Sequence, residues 1–224
     1  LANAPERFEH WTLSLIASHL ACSDTPDHPM NKAQLERFQS ALTQLPKAPA
    51  SLANSGGILM GEAYLFDMTR IGISLYGGGP SGADSALANV VELHAPLLQS
   101  RALSQGESVG YGATFTAPHE MQIGIVGLGY GDGLMRHFSK PTQTRASLKI
   151  NGQDAPILGR VSMDSLAIDI TNLPAALRAE AKAGDMVEVF GPNNPIDQLA
   201  MQGQTISYEL LTALGNRYKR IYSD

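Results

Sequence analysis

The 224 residues carry a formal net charge of −5, one cysteine, 43% hydrophobic and 17% charged residues. Such a balance supports one large or two modest globular domains with a real core and argues against wholesale disorder. It also argues against a nucleic-acid partner, which demands a basic stripe, while the lone Cys22 excludes an intrachain disulfide framework and fits a reducing cytoplasm. No uninterrupted apolar run approaches the roughly 20 residues that cross a bilayer; the longest candidate, IGIVGLGYG, is full of glycine. The expected partner is therefore a small molecule, with neither membrane nor nucleic acid. The start, LANAPERFEH, has no initiator methionine and no charged-then-apolar leader, and reads as a point inside a longer chain.

Residues 12–22, TLSLIASHLAC, form an apolar stretch that predicts a buried strand, and NKAQLERFQSALTQL places apolar residues at helical spacing behind an Asn31 cap. The pattern then repeats: SGGILMGEAYLF predicts a short helix, and TRIGISLYG alternates as a strand entering a glycine-rich turn. Strands alternating with helices imply a parallel α/β sheet or barrel. After GGGPSG the segments VVELHAPLLQSRAL, MQIGIVGLGYG, ASLKING, APILGR, SLAIDIT and DMVEVFG are short, β-rich and punctuated by Gly, Pro and Asn. The expected boundary lies near Ala88, dividing an α/β portion at 1–88 from a mostly β domain at 89–224, with AALRAEAKAG as a helical interlude and QTISYELLTALGNRYKRIY as a closing helix.

RIGISLYGGGPSG contains G-x-G-x-x-G at Gly77, Gly79 and Gly82. A dinucleotide fingerprint is rejected, because Pro80 interrupts the turn and no acidic residue stands where a ribose would need one. ANSGG at 53–57, with Gly72 and Ile73, sets small residues at successive strand ends, where exposed backbone N–H groups suit a phosphate as well as an ordinary tight turn. His19 in an apolar strand reads on its own as a core histidine. Arg70 heads an apolar strand, so acceptors must meet its guanidinium. No H-x-x-x-H or C-x-x-C spacing occurs, so no metal is expected. In VGYGATF, Tyr111 stands between Gly110 and Gly112, an arrangement expected where another chain, a ligand or a bulge comes close.

Taken in order, SHLACSD, LANSGG, RIGISLYG, VGYGATF, GLGYGDGLMR, GRVSMD and TISYELLT resemble the alanine racemase family of pyridoxal-phosphate enzymes, over nearly the whole chain. The resemblance implies the C-terminal part of a (β/α)8 barrel followed by a β-rich domain, assembled as a cytoplasmic head-to-tail homodimer. It implies interconversion of L-alanine and D-alanine with pyridoxal 5'-phosphate, supplying D-alanine for peptidoglycan. Tyr111 matches the tyrosine that reaches across the dimer as one of two catalytic bases. His19 matches its neighbour, and Arg70 the arginine between that histidine and the cofactor's pyridine nitrogen. The phosphate would be held by Ser55, the backbone of Gly72 and Ile73, and the Tyr208 hydroxyl, with Asn54 supporting the loop. The backbone at Met163, followed by Asp164, would receive the substrate carboxylate. Asp24, Tyr130, Arg136, Arg160 and Ile206 would line the substrate channel, although an exposed turn aromatic or a solvated arginine explains several of them equally well.

One departure stands out. The family's second base is a lysine in a segment resembling VKANAYGHG, and none of Lys32, Lys47, Lys140, Lys149, Lys182 or Lys219 stands in that context. The family's mid-barrel arginine motif is absent as well, so the 224 residues alone are expected not to racemise. Two alternatives remain beside alanine racemisation: a racemase of another small amino acid such as serine, and a non-catalytic module that binds the cofactor or mediates dimerisation. A nucleic-acid-binding β-barrel is disfavoured by the acidic charge and scattered aromatics.

Overall fold

The structure, a computed structural model, describes residues 10–80, 87–139 and 145–223. The chain divides into two units, Leu1–Ala88 and Asn89–Asp224. The first nine residues, Gly82 of the rejected fingerprint and Lys140 lie outside the described residues.

In the first unit, β1 (Ile16–Ala17) pairs in parallel with β2 (Ala50–Ser51), joined through helix α1 (Pro29–Gln44). Parallel pairing requires such a crossover. Pro29 begins α1, where a missing N–H costs nothing, and the His28 ring accepts from Met30 N at 3.1 Å. The helix stops at Leu45, which is extended as a residue before proline must be. Phe38 is buried with Leu20, Ala50 and Leu52, and meets Phe66 edge-on at 5.1 Å.

The sequence reading differs here in five respects. The strand expected over 12–22 is only Ile16–Ala17, because the Gln34 side chain takes the His19 carbonyl and the Ala21 N–H that further pairing would use. His19 is consequently exposed rather than a core residue. Asn31 lies inside α1 instead of capping it; it is buried, and its amide donates to the carbonyls of Cys22, Thr25 and Pro26 at 3.1, 3.0 and 3.1 Å. The expected strand at 69–77 reduces to one parallel bridge, Asn54 to Arg70, after which Ile73–Tyr76 turns as a 3-10 helix. Downstream of β2, α2 (Ser55–Leu59) and a 3-10 turn at Glu62–Tyr64 replace the single short helix expected there.

The second unit is a closed barrel built from β3 (Leu93–Leu103), β6 (Met121–Val126), β7 (Ser147–Ile150), β8 (Gln153–Leu158), β9 (Leu166–Asp169) and β10 (Met186–Phe190). Between β3 and β6 a separate hairpin, β4 (Ser108–Val109) and β5 (Phe115–Thr116), projects with Tyr111 in its tip. Around the ring the order is β10-β3-β6-β9-β8-β7, with antiparallel neighbours and β10 closing on β7 at Glu188 and Lys149. Leu93, Ala95 and Leu97 alternate inward along β3, as a half-buried strand requires, and join Leu148, Ile157, Ile168, Val189 and Phe190 in the core. Register shifts between Leu97 and Gln99 and between Glu188 and Phe190 bend the sheet to close.

Helix α3 (Ala175–Glu180) follows the expected interlude. Helix α4 (Ile196–Gln202), which the sequence reading did not separate, starts behind Pro195 and buries Ile196, Leu199 and Ala200. The turn before it is fixed by the buried Glu188 carboxylate, which accepts the main-chain N–H groups of Asn193 and Asn194 at 2.7 and 2.9 Å. The closing helix is shorter than expected: α5 spans Ser207–Thr212 and ends before Gly215 and Asn216. Beyond it, Tyr218 anchors the tail by donating its hydroxyl to the Asp132 carbonyl at 2.7 Å.

Two outcomes follow from these anchors. Asn31→Ala leaves three carbonyls without their shared donor and is expected to lower stability by about 1–3 kcal/mol, read from the urea midpoint at constant slope. Burial, and then the nearby Asp132 charge, push the Tyr218 phenol up to about 12 from its ordinary value of 10.0. The fold thus favours the neutral phenol, so its stabilisation is complete below about pH 10 and is lost as pH climbs through about 12. Thermal melts across that window should show Tyr218→Phe losing less stability than the parent, after an initial deficit of about 0.5–1.5 kcal/mol near neutrality for the deleted hydrogen bond.

Candidate active site

In the first unit, the ends of the short parallel strands gather His19, Asn54 and Arg70. Arg70 reaches back along the strand ends: Nη1 donates to the Ser51 hydroxyl at 2.6 Å and the Ser51 carbonyl at 3.2 Å, and Nη2 donates to the Ser18 carbonyl. The acceptors that the sequence demanded are thus main-chain and hydroxyl oxygens. Nη2 also stands 3.3 Å from His19 Nδ1. A guanidinium only donates, so a hydrogen bond here needs Nδ1 as the acceptor, whereas the Asn54 amide nitrogen on the other side of the ring also donates; a neutral imidazole accepts from one of the two.

Asn54 caps α2, its Oδ1 accepting from Gly57 N at 3.0 Å. That bond orients the amide, so Nδ2 donates to the Ser23 hydroxyl at 2.8 Å and lies 3.4 Å from His19 Nε2. Ser55, the first residue of α2, is buried and accepts the Gly72 N–H at 2.9 Å. A hydroxyl that accepts one bond still carries a proton of its own to donate. A side chain at Gly72 would find its nearest neighbour, the Ser55 hydroxyl, only at 4.0 Å, so the ground beside these two residues is open. A serine hydroxyl, open space and the Arg70 guanidinium two residues before Gly72 are groups that suit an anionic phosphate attached to a basic ring, and the residues fit pyridoxal phosphate in that respect. Ile73 is buried, and Asp24 stands exposed in the turn between β1 and α1.

In the second unit, Tyr111 is 70% exposed at the tip of the β4–β5 hairpin. The flanking Gly110 and Gly112 adopt φ of 84° and 74°, which side chains resist. Both also answer to a neighbour: a Cβ on Gly112 would stand 2.8 Å from the Arg160 guanidinium, and one on Gly110 would stand 3.1 Å from the Arg160 main-chain nitrogen. Arg160, assigned to the channel by resemblance, is what approaches the hairpin within this unit. The tyrosine therefore sits on a two-glycine turn braced by an arginine, not in a strand.

Tyr130 opens the 3-10 turn Tyr130–Asp132, and its main chain locks onto the Met163 turn. Tyr130 N donates to the Ser162 carbonyl at 3.0 Å and Gly131 N to the Met163 carbonyl at 2.8 Å. A Cβ at Gly129 would fall 2.3 Å from those carbonyl oxygens, so the two turns are in backbone contact. Arg136 lies in the following 3-10 turn, and Ile206 and Tyr208 stand at the start of α5; all three are exposed. Sequence reasoning missed the residues that fasten these groups. Ser23 and Ser51 hold Asn54 and Arg70, while Arg217 donates to Asp164 at 2.6 Å and lies 3.5 Å from Asp132. Hydrogen bonding to Asp164, then the charges of Asp164 and Asp132, raise the Arg217 pKa further, so it stays cationic. None of these has a local spacing signal; they are far apart in the chain and meet only after folding. Among the described residues no cluster of three or more His, Cys, Asp or Glu side chains could hold a metal ion, and no helix is long and apolar enough to cross a membrane.

Comparison with known proteins places this geometry in a lineage. The sequence model for the alanine racemase C-terminal domain matches residues 90–222, and that for the alanine racemase N-terminal domain matches residues 1–80. An alanine racemase of Rhodospirillum rubrum is 43% identical over 219 residues, covering 97% of this chain and 57% of the relative. One from Rhizobium meliloti is 43% identical over 230 residues, covering 99% and 60%. Among solved structures, Bartonella henselae alanine racemase with covalently bound pyridoxal phosphate superposes with a TM-score of 0.89 at 39% identity, covering all of this chain and 60% of that one. The biosynthetic alanine racemase of Pseudomonas aeruginosa gives 0.84 at 40% identity, covering 94% and 57%. The chain spans somewhat under two thirds of the length of the relatives it matches. Its fold is the C-terminal part of a (β/α)8 barrel followed by a β domain, and the chain belongs to the alanine racemase family.

Proposed function

We propose that this chain is the larger part of a pyridoxal-phosphate-dependent alanine racemase of the cytoplasm, acting as a homodimer and supplying D-alanine for peptidoglycan. Racemisation then belongs to a protein that also has the lysine-bearing barrel units for which these 224 residues have no counterpart. The carrying observation is the contact of Arg70 Nη2 with His19 Nδ1 at 3.3 Å, next to the open ground at Ser55 and Gly72.

When bound, pyridoxal phosphate supplies a conjugated system that takes up the electron pair released as the α carbon loses its proton. The chain's own residues do the rest. Ser55, the Gly72 and Ile73 main chain and the Tyr208 hydroxyl would hold the phosphate, with Asn54 fixing the loop. Arg70 would donate to the ring nitrogen without surrendering its proton, since guanidinium stays protonated. Tyr111, from the second copy, would accept and return the α proton on one face, with His19 as its neighbour in the hydrogen-bonding chain. A phenol is suited to both tasks, being donor and acceptor. Inversion needs a second base opposite, the role of the lysine. The Met163 main chain, followed by Asp164, would receive the substrate carboxylate, and Asp24, Tyr130, Arg136, Arg160 and Ile206 would shape the approach.

The test joins the chain to the N-terminal remainder of the Rhodospirillum rubrum relative, adds the cofactor, and follows loss of the α proton into heavy water from each alanine enantiomer. Alanine should racemise, with serine slower. Tyr111→Phe should slow exchange from one enantiomer about 100-fold or more while sparing the other. Equal exchange from both enantiomers in that variant would overturn the role of Tyr111, and faster turnover of serine would overturn the substrate.

A further inference from the structure

Asp164 directly follows Met163, and its side chain is 66% exposed. If the Met163 main chain receives a carboxylate, an unpaired anion one residue away opposes it. Arg217 answers that problem. Its Nη1 donates to Asp164 Oδ1 at 2.6 Å and stands 3.5 Å from Asp132 Oδ1. The second Asp132 oxygen is already engaged, accepting Gly129 N at 2.9 Å. Behind Arg217, Tyr218 is pinned to the Asp132 carbonyl, so the stem of the arginine starts from a fixed point. A Cβ on Gly131 would lie 2.8 Å from Arg217 Nη1, so the guanidinium lies close against the Tyr130 turn.

An exposed ion pair of this kind contributes little to folding. Its effect is on local charge: one cation faces the carboxylate of Asp164 in the Met163 turn at 2.6 Å and that of Asp132 in the Tyr130 turn at 3.5 Å. We propose that Arg217 is a positioning residue that neutralises Asp164 and holds it off the carboxylate-binding main chain at Met163, thereby setting affinity for the anionic end of the amino-acid substrate. This rests on the reading of Met163 given above, and it adds a residue outside the motifs that carry that reading.

The experiment uses the intact, cofactor-loaded protein. Arg217→Gln frees the Asp164 charge and should raise KM for alanine about five- to tenfold with kcat little changed, the defect shrinking in added salt. Adding Asp164→Asn in the same chain should bring KM back, because the freed charge is gone; Arg217→Lys should keep most of the affinity. A KM unaltered in Arg217→Gln, or a double variant no better than the single, would overturn the proposal. Acetate, a bare carboxylate, gives a readout apart from turnover. Its titration should move the Met163 amide resonance in the parent, weakly in Arg217→Gln, and again strongly in the double variant. Should the parent fail to racemise alanine while acetate still follows this order, the racemase reading falls and the role of Arg217 stands. If amide exchange at Tyr130 and Gly131 rises in Arg217→Gln and Asp164→Asn does not restore acetate binding, Arg217 merely props the turns and the proposal is wrong.

Discussion

Arg70 binds the carbonyl ends of the short parallel strands together, and the candidate site in the first unit is arranged around that grip. A guanidinium taken partly out of water must be met on several sides. Here Ser18 and Ser51 meet it, and the contact with His19 is a by-product of the same reach. The arginine is fixed by main-chain oxygens, and the imidazole is thereby held between two donors, the guanidinium at Nδ1 and the Asn54 amide at Nε2. Asn54, held by the α2 amide at Gly57, restricts the other side of the ring.

The second unit solves a similar problem differently. Among the described residues its candidate site groups do not come from the barrel interior; Tyr111, Tyr130 and Met163 all stand on turns outside the ring. Turns hold a side chain poorly unless their backbone is fastened. Gly129 lets the Tyr130 turn meet the Met163 turn carbonyl to amide, and Gly110 and Gly112 let the hairpin tip lie on Arg160. Glycine here allows close approach, and closeness stiffens what glycine alone would loosen.

How far the sequence revealed this depends on the range of the interactions. The six barrel strands were legible because each alternates or runs apolar between Gly, Pro and Asn punctuation, a signal contained in a few residues. The parallel strands were overread: the apolar text of 12–22 describes what lies near the core, whereas Gln34, far along the chain, decides where pairing ends. Asn31 looked like a cap and is a buried tie, a distinction that resides in the carbonyls of the preceding turn. The ordered motifs drew attention to His19, Arg70 and Tyr111, yet Ser51, Asp132 and Arg217 became visible only when folding brought distant segments together.

Ring closure between β10 and β7 has one more consequence. Where every strand has a neighbour on both sides, there is no ragged margin on which a stray segment could zip itself. Mutation can then lengthen, shorten or recolour the external turns without exposing a seam, so such a scaffold can change what it recognises while its frame is inherited intact.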